Sequence, residues 1–143
     1  MSNHKITAQG AGVRTEVSAG RHTFVIDEHA NMGGQDAGPS PLDYLLGSLA
    51  GCEEVIAQLV AREMEFKLNG IQFDVQGTLD TKGLMGDPNV KPYFQKVRIR
   101  ATVDTPEEES RVKQLQEAVD RRCPVFTLIK AAGVELDAEW TKA

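Results

Sequence analysis

Only two cysteines, three histidines and one tryptophan occur among the 143 residues, and lysine and arginine nowhere gather into a run. The histidines, His4, His22 and His29, have no ligand spacing among themselves or to the cysteines, so neither a metal site nor Cys–His catalysis is expected. No metal and no cofactor are implied. The missing basic cluster, with a formal net charge of -5 and a pI near 5.2, argues against nucleic acid or an anionic membrane as partner. The opening segment MSNHKITAQGAG lacks the apolar core of a secretory signal. The longest apolar stretch is broken by charges and is not expected to span a bilayer. A cytoplasmic protein follows, and there two cysteines are reduced unless they take part in redox chemistry.

What is present is ordinary for a globular chain: 41% hydrophobic and 26% charged residues, enough for one core and a single domain over residues 1–143. The organising stretch runs from Gly33 to Arg62. Ser40, Pro41 and Asp43 read as a helix start, with a hydroxyl cap, proline at the first helical position and a carboxylate near the positive end of the dipole. Leu42, Leu45, Leu46, Leu49, Cys52, Ile56, Leu59 and Val60 then recur at spacings of three and four, an apolar stripe that points Cys52 inward. Gly47 and Gly51 each cost about 1 kcal/mol in a helix interior, which suggests that something packs closely there.

Before this helix, Ile6–Ala8, Val13–Val17 and Thr23–Glu28 alternate loosely and predict an antiparallel meander. After it, Asn69-Gly70 suits a helix end. Ile71–Leu79 and Val97–Val103 read as half-buried strands, joined by a long irregular loop over Lys82–Pro92. Thr105-Pro106-Glu107-Glu108 repeats the helix-start pattern, with Glu108 placed for a capping box. Cys123-Pro124 breaks that helix, a second short helix follows, and Val134 to Trp140 alternate as a last strand. The order of elements is α+β.

A thiolate is stabilised at a helix N-terminus and beside cations, and Cys123 has both features: Arg121 and Arg122 precede it and Pro124 opens the next helix. Cys52 lies mid-helix among leucines and needs an outside activator. Arg14 or Arg21, paired with a carboxylate such as Glu53 or Glu54, could supply it.

The segments GPSPLDYLLGSLAGCEEV and RRCPVFTLIKAAGVELDAEW, in this order, resemble the osmotically inducible protein C and organic hydroperoxide resistance superfamily, called OsmC-like. The resemblance implies an intertwined α+β homodimer with an antiparallel sheet wrapped around a long central helix. It also implies thiol-dependent reduction of organic hydroperoxides in oxidative stress defence and recycling by a dithiol such as a lipoylated protein. By this resemblance Cys52 is the peroxidatic thiol and Cys123 the resolving one, which reverses the electrostatic ranking above. The family's arginine comes from an early strand or turn, and Arg21 and Arg14 both fit. Leu42 occupies the position of the family's glutamate, with Asp43 as its acidic neighbour, one residue and about 100° round the helix. That departure keeps an alternative open: a noncatalytic dimer that binds a small apolar ligand or has another stress-related role. A peroxide pocket would draw on Leu45, Leu49 or Phe126.

Overall fold

The computed structural model describes all 143 residues, which form two compact units, Met1–Leu45 and Leu46–Ala143. In the first, β1 (Thr7–Ala11), β2 (Arg14–Ala19) and β3 (His22–Ile26) make the antiparallel meander that the alternation predicts. Its two tight turns fall on Gly12 and Gly20, both at positive φ. The loop that follows is organised by Asp27, a buried carboxylate. It accepts hydrogen bonds from the backbone N–H groups of Glu28 (2.8 Å), Ala37 (3.1 Å) and Gln35 (3.3 Å). These bonds, led by that from Glu28, hold its pKa below the ordinary carboxylate value. Tyr44 closes the unit by donating to the Val25 carbonyl and packing its ring 5.2 Å from that of Phe24.

The long helix α1 (Pro41–Glu63) starts at the expected proline. Ser40 Oγ accepts from the Asp43 N–H at 3.1 Å, and the Asp43 carboxylate accepts from the Ser40 N–H at 3.4 Å, a reciprocal cap. The helix ends earlier than Asn69-Gly70. Glu65 takes the left-handed conformation (φ 52), and the Phe66 N–H reaches back to the Ala61 carbonyl at 2.8 Å while the Glu65 N–H reaches that of Arg62 at 3.3 Å. A hydrophobic anchor, the buried Phe66, wins over the residue with the better left-handed propensity. By length and composition α1 meets the requirement for a membrane span, with an 18-residue window of mean hydropathy 1.3, contrary to the reading from its charges. The fold gives it another partner, since Leu49, Ala57, Val60 and Ala61 are buried in protein cores. Gly47 and Gly51 have no atom within 4 Å of where a Cβ would sit, so nothing in this chain makes the close approach expected there.

In the second unit, β4 (Gly70–Thr78) pairs antiparallel with β5 (Lys96–Asp104), placing Val75 opposite Ile99 and Ile71 opposite Val103. The connection between them is not wholly irregular: Asp80 accepts from the Lys82 N–H at 3.0 Å and starts the one-turn helix α2 (Thr81–Leu84). The capping box expected from Thr105 and Glu108 does not form. Thr105 instead donates to the Lys67 carbonyl (2.6 Å) and accepts from the Glu107 N–H (3.0 Å), so α3 (Glu109–Arg122) starts later, with no side-chain cap from Glu108. Then α4 (Pro124–Ala131) follows the Cys123 break, and Gly133 at φ 85 turns the chain into β6 (Glu135–Lys142).

One pairing departs from an all-antiparallel sheet: β6 runs parallel to β5, with Ala138 beside Ile99 and Trp140 beside Ala101. Parallel neighbours need a crossover of a dozen or more residues, and α3 with α4 is that crossover. It covers two adjoining cores. One gathers Ala57, Val60, Val112, Leu115, Val119 and Trp140; the other gathers Leu49, Val97, Ile99, Cys123, Phe126 and Ile129, with Cys52 packed against it.

Candidate active site

Cys52 lies in the middle of α1, half-buried. Cys123 sits between α3 and α4 with no solvent exposure. Proline at 124 forces the break: α3 closes on the Cys123 N–H bonded to the Val119 carbonyl (2.8 Å), and α4 opens with the Cys123 sulfur accepting from the Phe126 N–H (3.4 Å). The two thiols are free and their sulfurs stand 2.9 Å apart, the Cys123 S–H donating to Cys52. A disulfide bond, at about 2.05 Å, is less than 1 Å of closure away.

The expectation that Cys123 is the acidic thiol fails on burial. Desolvation, then the hydrogen bond with Cys52, pushes its pKa up to about 12, against which the Phe126 N–H acts in the opposite sense. Nor do the arginines help, because Arg122 forms a two-pronged ion pair with Glu63, at 2.6 and 3.1 Å, and Arg121 is exposed. Neither the helix dipole nor proximity in sequence decides which way the chain carries those side chains, and here it carries them away from Cys123 toward Glu63 and solvent.

A buried carboxylate, Glu53, follows Cys52 in the chain. Glu53 has no solvent exposure, and neither of its carboxylate oxygens meets a donor. Burial, and then the negative charge of Asp120 on α3, raise its pKa to about 8. Burial likewise raises Asp120 to about 6, opposed by hydrogen bonds from Gln116 and Glu53. Two carboxylates that burial and mutual charge push up in this way favour a single proton between them. A proton on Glu53 would give it a hydrogen to donate toward Asp120. Asp120 is in turn held by the Gln116 amide at 3.4 Å, whose N–H also reaches the Ala138 carbonyl (3.0 Å) and whose oxygen accepts from the Trp140 N–H (3.0 Å).

The sequence did carry a signal for Glu53. It falls in register with Leu49, Ile56, Ala57 and Val60, so the helical period places a carboxylate on the core face. Asp120 had no such mark.

Raised carboxyl pKa values have a consequence for stability. Between about pH 4 and 8 the folded chain holds more protons on Glu53 and Asp120 than the unfolded chain does, so their contribution to stability falls as pH rises through that window. Each such proton corresponds to at most about 1.4 kcal/mol per pH unit. Glu53→Gln is therefore expected to be nearly neutral at pH 4.5 and to become more stable than the parent by pH 8.5, measured as urea midpoints. Parallel pH profiles of the two proteins would refute the shared proton.

The other expected site residues belong to the N-terminal unit. Arg21 lies in the β2–β3 turn, Arg14 is on β2 in an exposed ion pair with Glu16 (3.5 Å), and Asp43 holds the start of α1. Leu42 is partly exposed and Leu45 ends the unit, whereas Leu49 and Phe126 share the buried cluster of Cys123.

The model of a protein family described as OsmC-like protein matches residues 33–139, three quarters of the chain. The chain belongs to the OsmC-like family. A hydroperoxide reductase of Mycoplasma pneumoniae is 27% identical over 95 residues, 65% of this chain and 63% of its own length, so the match spans less than two thirds of that relative. Among solved structures, an OsmC-like protein of the same organism superposes with a TM-score of 0.86 at 19% identity, covering 99% of this chain and 98% of its own. An organic hydroperoxide resistance protein of Elizabethkingia anophelis superposes with a TM-score of 0.78 at 16% identity, covering 100% and 98%. These likenesses fix the OsmC-like α+β fold. The span matched by the OsmC-like model contains both thiols, Glu53 and Asp120, and begins after Arg14 and Arg21.

Proposed function

We propose that this OsmC-like protein is a thiol peroxidase that reduces organic hydroperoxides, with Cys52 as the peroxidatic and Cys123 as the resolving thiol. The observation that carries the reading is the sulfur pair: 2.9 Å apart, one member half-buried and reachable, the other sealed in the core. A peroxide meets Cys52 first. The Cys52 thiolate takes the distal oxygen and releases an alcohol, leaving a sulfenic acid; Cys123 condenses with it, water departs, and a dithiol such as a lipoylated protein reduces the resulting disulfide. Leu49 and Phe126 make the thiol neighbourhood apolar, which suits an organic peroxide. The hydroperoxide-related names of the Mycoplasma and Elizabethkingia relatives support the same substrate class.

Arg21 is the residue we assign to stabilise the Cys52 thiolate, through a guanidinium from the β2–β3 turn. Asp43 is the acidic residue proposed nearest the position taken by Leu42. A second copy of the chain is proposed to cover α1, where Val55 and Leu59 remain exposed and both helix glycines face open space. Leu42 in place of a carboxylate favours the second reading, a noncatalytic dimer that binds a small apolar ligand. Steady-state consumption of cumene hydroperoxide with a dithiol donor separates the two. Turnover that requires Cys52 is expected, and its absence would leave the binding reading.

A further inference from the structure

The two sulfurs are not equivalent, and the difference decides where a proton stays when the pair loses one. Cys123 has no solvent exposure and lies in the buried cluster with Leu49, Ile99 and Phe126. Its sulfur accepts the Phe126 N–H at 3.4 Å, and its own S–H is directed at the Cys52 sulfur, 2.9 Å away. Cys52 is only half-buried. A thiol sealed from water resists ionisation because its charge would be desolvated, whereas a half-buried one keeps part of its hydration. The charge of an ionised Glu53 opposes a second negative charge on Cys123, and no cation is among the groups that bear on it. When the dithiol loses its first proton, the thiolate is therefore Cys52, and the remaining hydrogen sits on Cys123, pointing at that charge.

We propose that the Cys123 S–H is a hydrogen-bond donor that stabilises the Cys52 thiolate, so that the resolving thiol is also a positioning residue for the peroxidatic step. The proposal deepens the peroxidase reading and rests on it for the fate of Cys52, but the hydrogen bond exists before any peroxide arrives. A bond to an ionised acceptor is stronger than one between neutral groups, so this one favours the reactive form over the resting form. No proton changes hands. Cys123 keeps its hydrogen while Cys52 attacks, and the bond weakens as the electron pair of the Cys52 sulfur goes into the new S–O bond.

The fold holds the donor in place. Pro124 ends α3 and makes Cys123 the N-cap of α4, where the Phe126 N–H occupies one side of the sulfur and Cys52 is the acceptor that the S–H meets. The charged groups of the surrounding elements have other engagements. Glu53 on α1 bears on Cys123 and Asp120; on α3, Asp120 is held by Gln116 and Arg122 by Glu63; on α4, the Lys130 charge bears on Asp120. None of these donates to the Cys52 sulfur, which leaves that part to Cys123.

The test uses the reduced full chain as parent, Cys123→Ser, Cys123→Ala and Cys123→Val. Alkylation of Cys52 by iodoacetamide is followed against pH, with the modified site identified by peptide mass. Serine keeps a donor, alanine and valine do not, and valine also fills the space that alanine empties. All four proteins keep Arg21, so any shift belongs to position 123. The pH of half-maximal alkylation is expected to rise by about one unit in the alanine and valine variants and to stay close to the parental value in the serine variant. Below the parental midpoint, the first equivalent of cumene hydroperoxide should then disappear about tenfold more slowly in the two donorless variants alone. A parental midpoint in both of them, even with lowered stability in urea, would overturn the proposal. An equal upward shift in the serine variant would overturn it too, because the effect would then come from packing and not from the donor. A shifted midpoint in a protein that consumes no peroxide would support the hydrogen bond and refute the peroxidase reading. Should the alanine variant fail to fold by circular dichroism, the valine variant carries the comparison.

Discussion

Cys52→Ser is expected to lower hydroperoxide consumption by on the order of a thousandfold or more, to the level of the uncatalysed reaction, because a hydroxyl is a far weaker nucleophile than a thiolate. Cys123→Ser is expected to behave differently. Its first equivalent of peroxide should disappear at the parental rate, since the reachable sulfur is intact, but Cys52 should then stay as a sulfenic acid open to further oxidation to sulfinic acid. Stopped-flow peroxide loss read against intact mass distinguishes these outcomes. If both variants lost the first step equally, the division of labour between a half-buried and a sealed thiol would be wrong. If Cys52→Ser retained steady-state turnover, the peroxidase assignment itself would fall.

The largest loss of stability is expected for Trp140→Ala, at about 3–5 kcal/mol. Trp140 is fully buried in β6 and meets Phe73 edge-on at 5.8 Å and 83°. Around it pack Leu115 and Val119 from the crossover helix and Ala57 and Val60 from α1. Removing the indole opens a cavity between three elements that cannot collapse independently. The indole N–H, however, is buried without a partner, so part of the tryptophan's contribution is already offset. Trp140→Phe should therefore retain most of the stability that Trp140→Ala loses. Urea midpoints of the three proteins provide the check, and a shift below about 1 kcal/mol for alanine would mean that the core is not organised around this residue.

Much of the fold was legible because its signals are local. Ser40-Pro41 marks the start of α1, Cys123-Pro124 marks the break between α3 and α4, and two-residue alternation marks β4, β5 and β6. The errors arose where a distant contact decides. Thr105 is drawn to the Lys67 carbonyl instead of capping a helix, and Phe66 ends α1 by docking in the core. The parallel pairing of β6 cannot be read from its alternation, because period two is the same in either direction. In the site, both thiols were visible as residues, but their relative character was misjudged from sequence proximity: burial governs Cys123, and Arg122 is committed to Glu63. Glu53 could be seen on the core face of α1, whereas its partner Asp120 emerges only when α3 is laid against that helix.

The 2.9 Å approach of two sulfurs that lie 71 positions apart in the chain has an energetic counterpart. An unstrained link between them would restrict the unfolded chain by closing a loop of that length, stabilising the folded form by roughly 4 kcal/mol. The same quantity appears in the redox chemistry. A fold that favours its own cross-link resists losing it, by roughly 90 mV at about 30 mV for each 1.4 kcal/mol. A monothiol that opened the link would form a mixed disulfide within reach of the neighbouring Cys sulfur, which would expel it before a second molecule arrived. A reductant carrying two sulfurs supplies its second attack from the same molecule, and so competes with that internal return on equal terms.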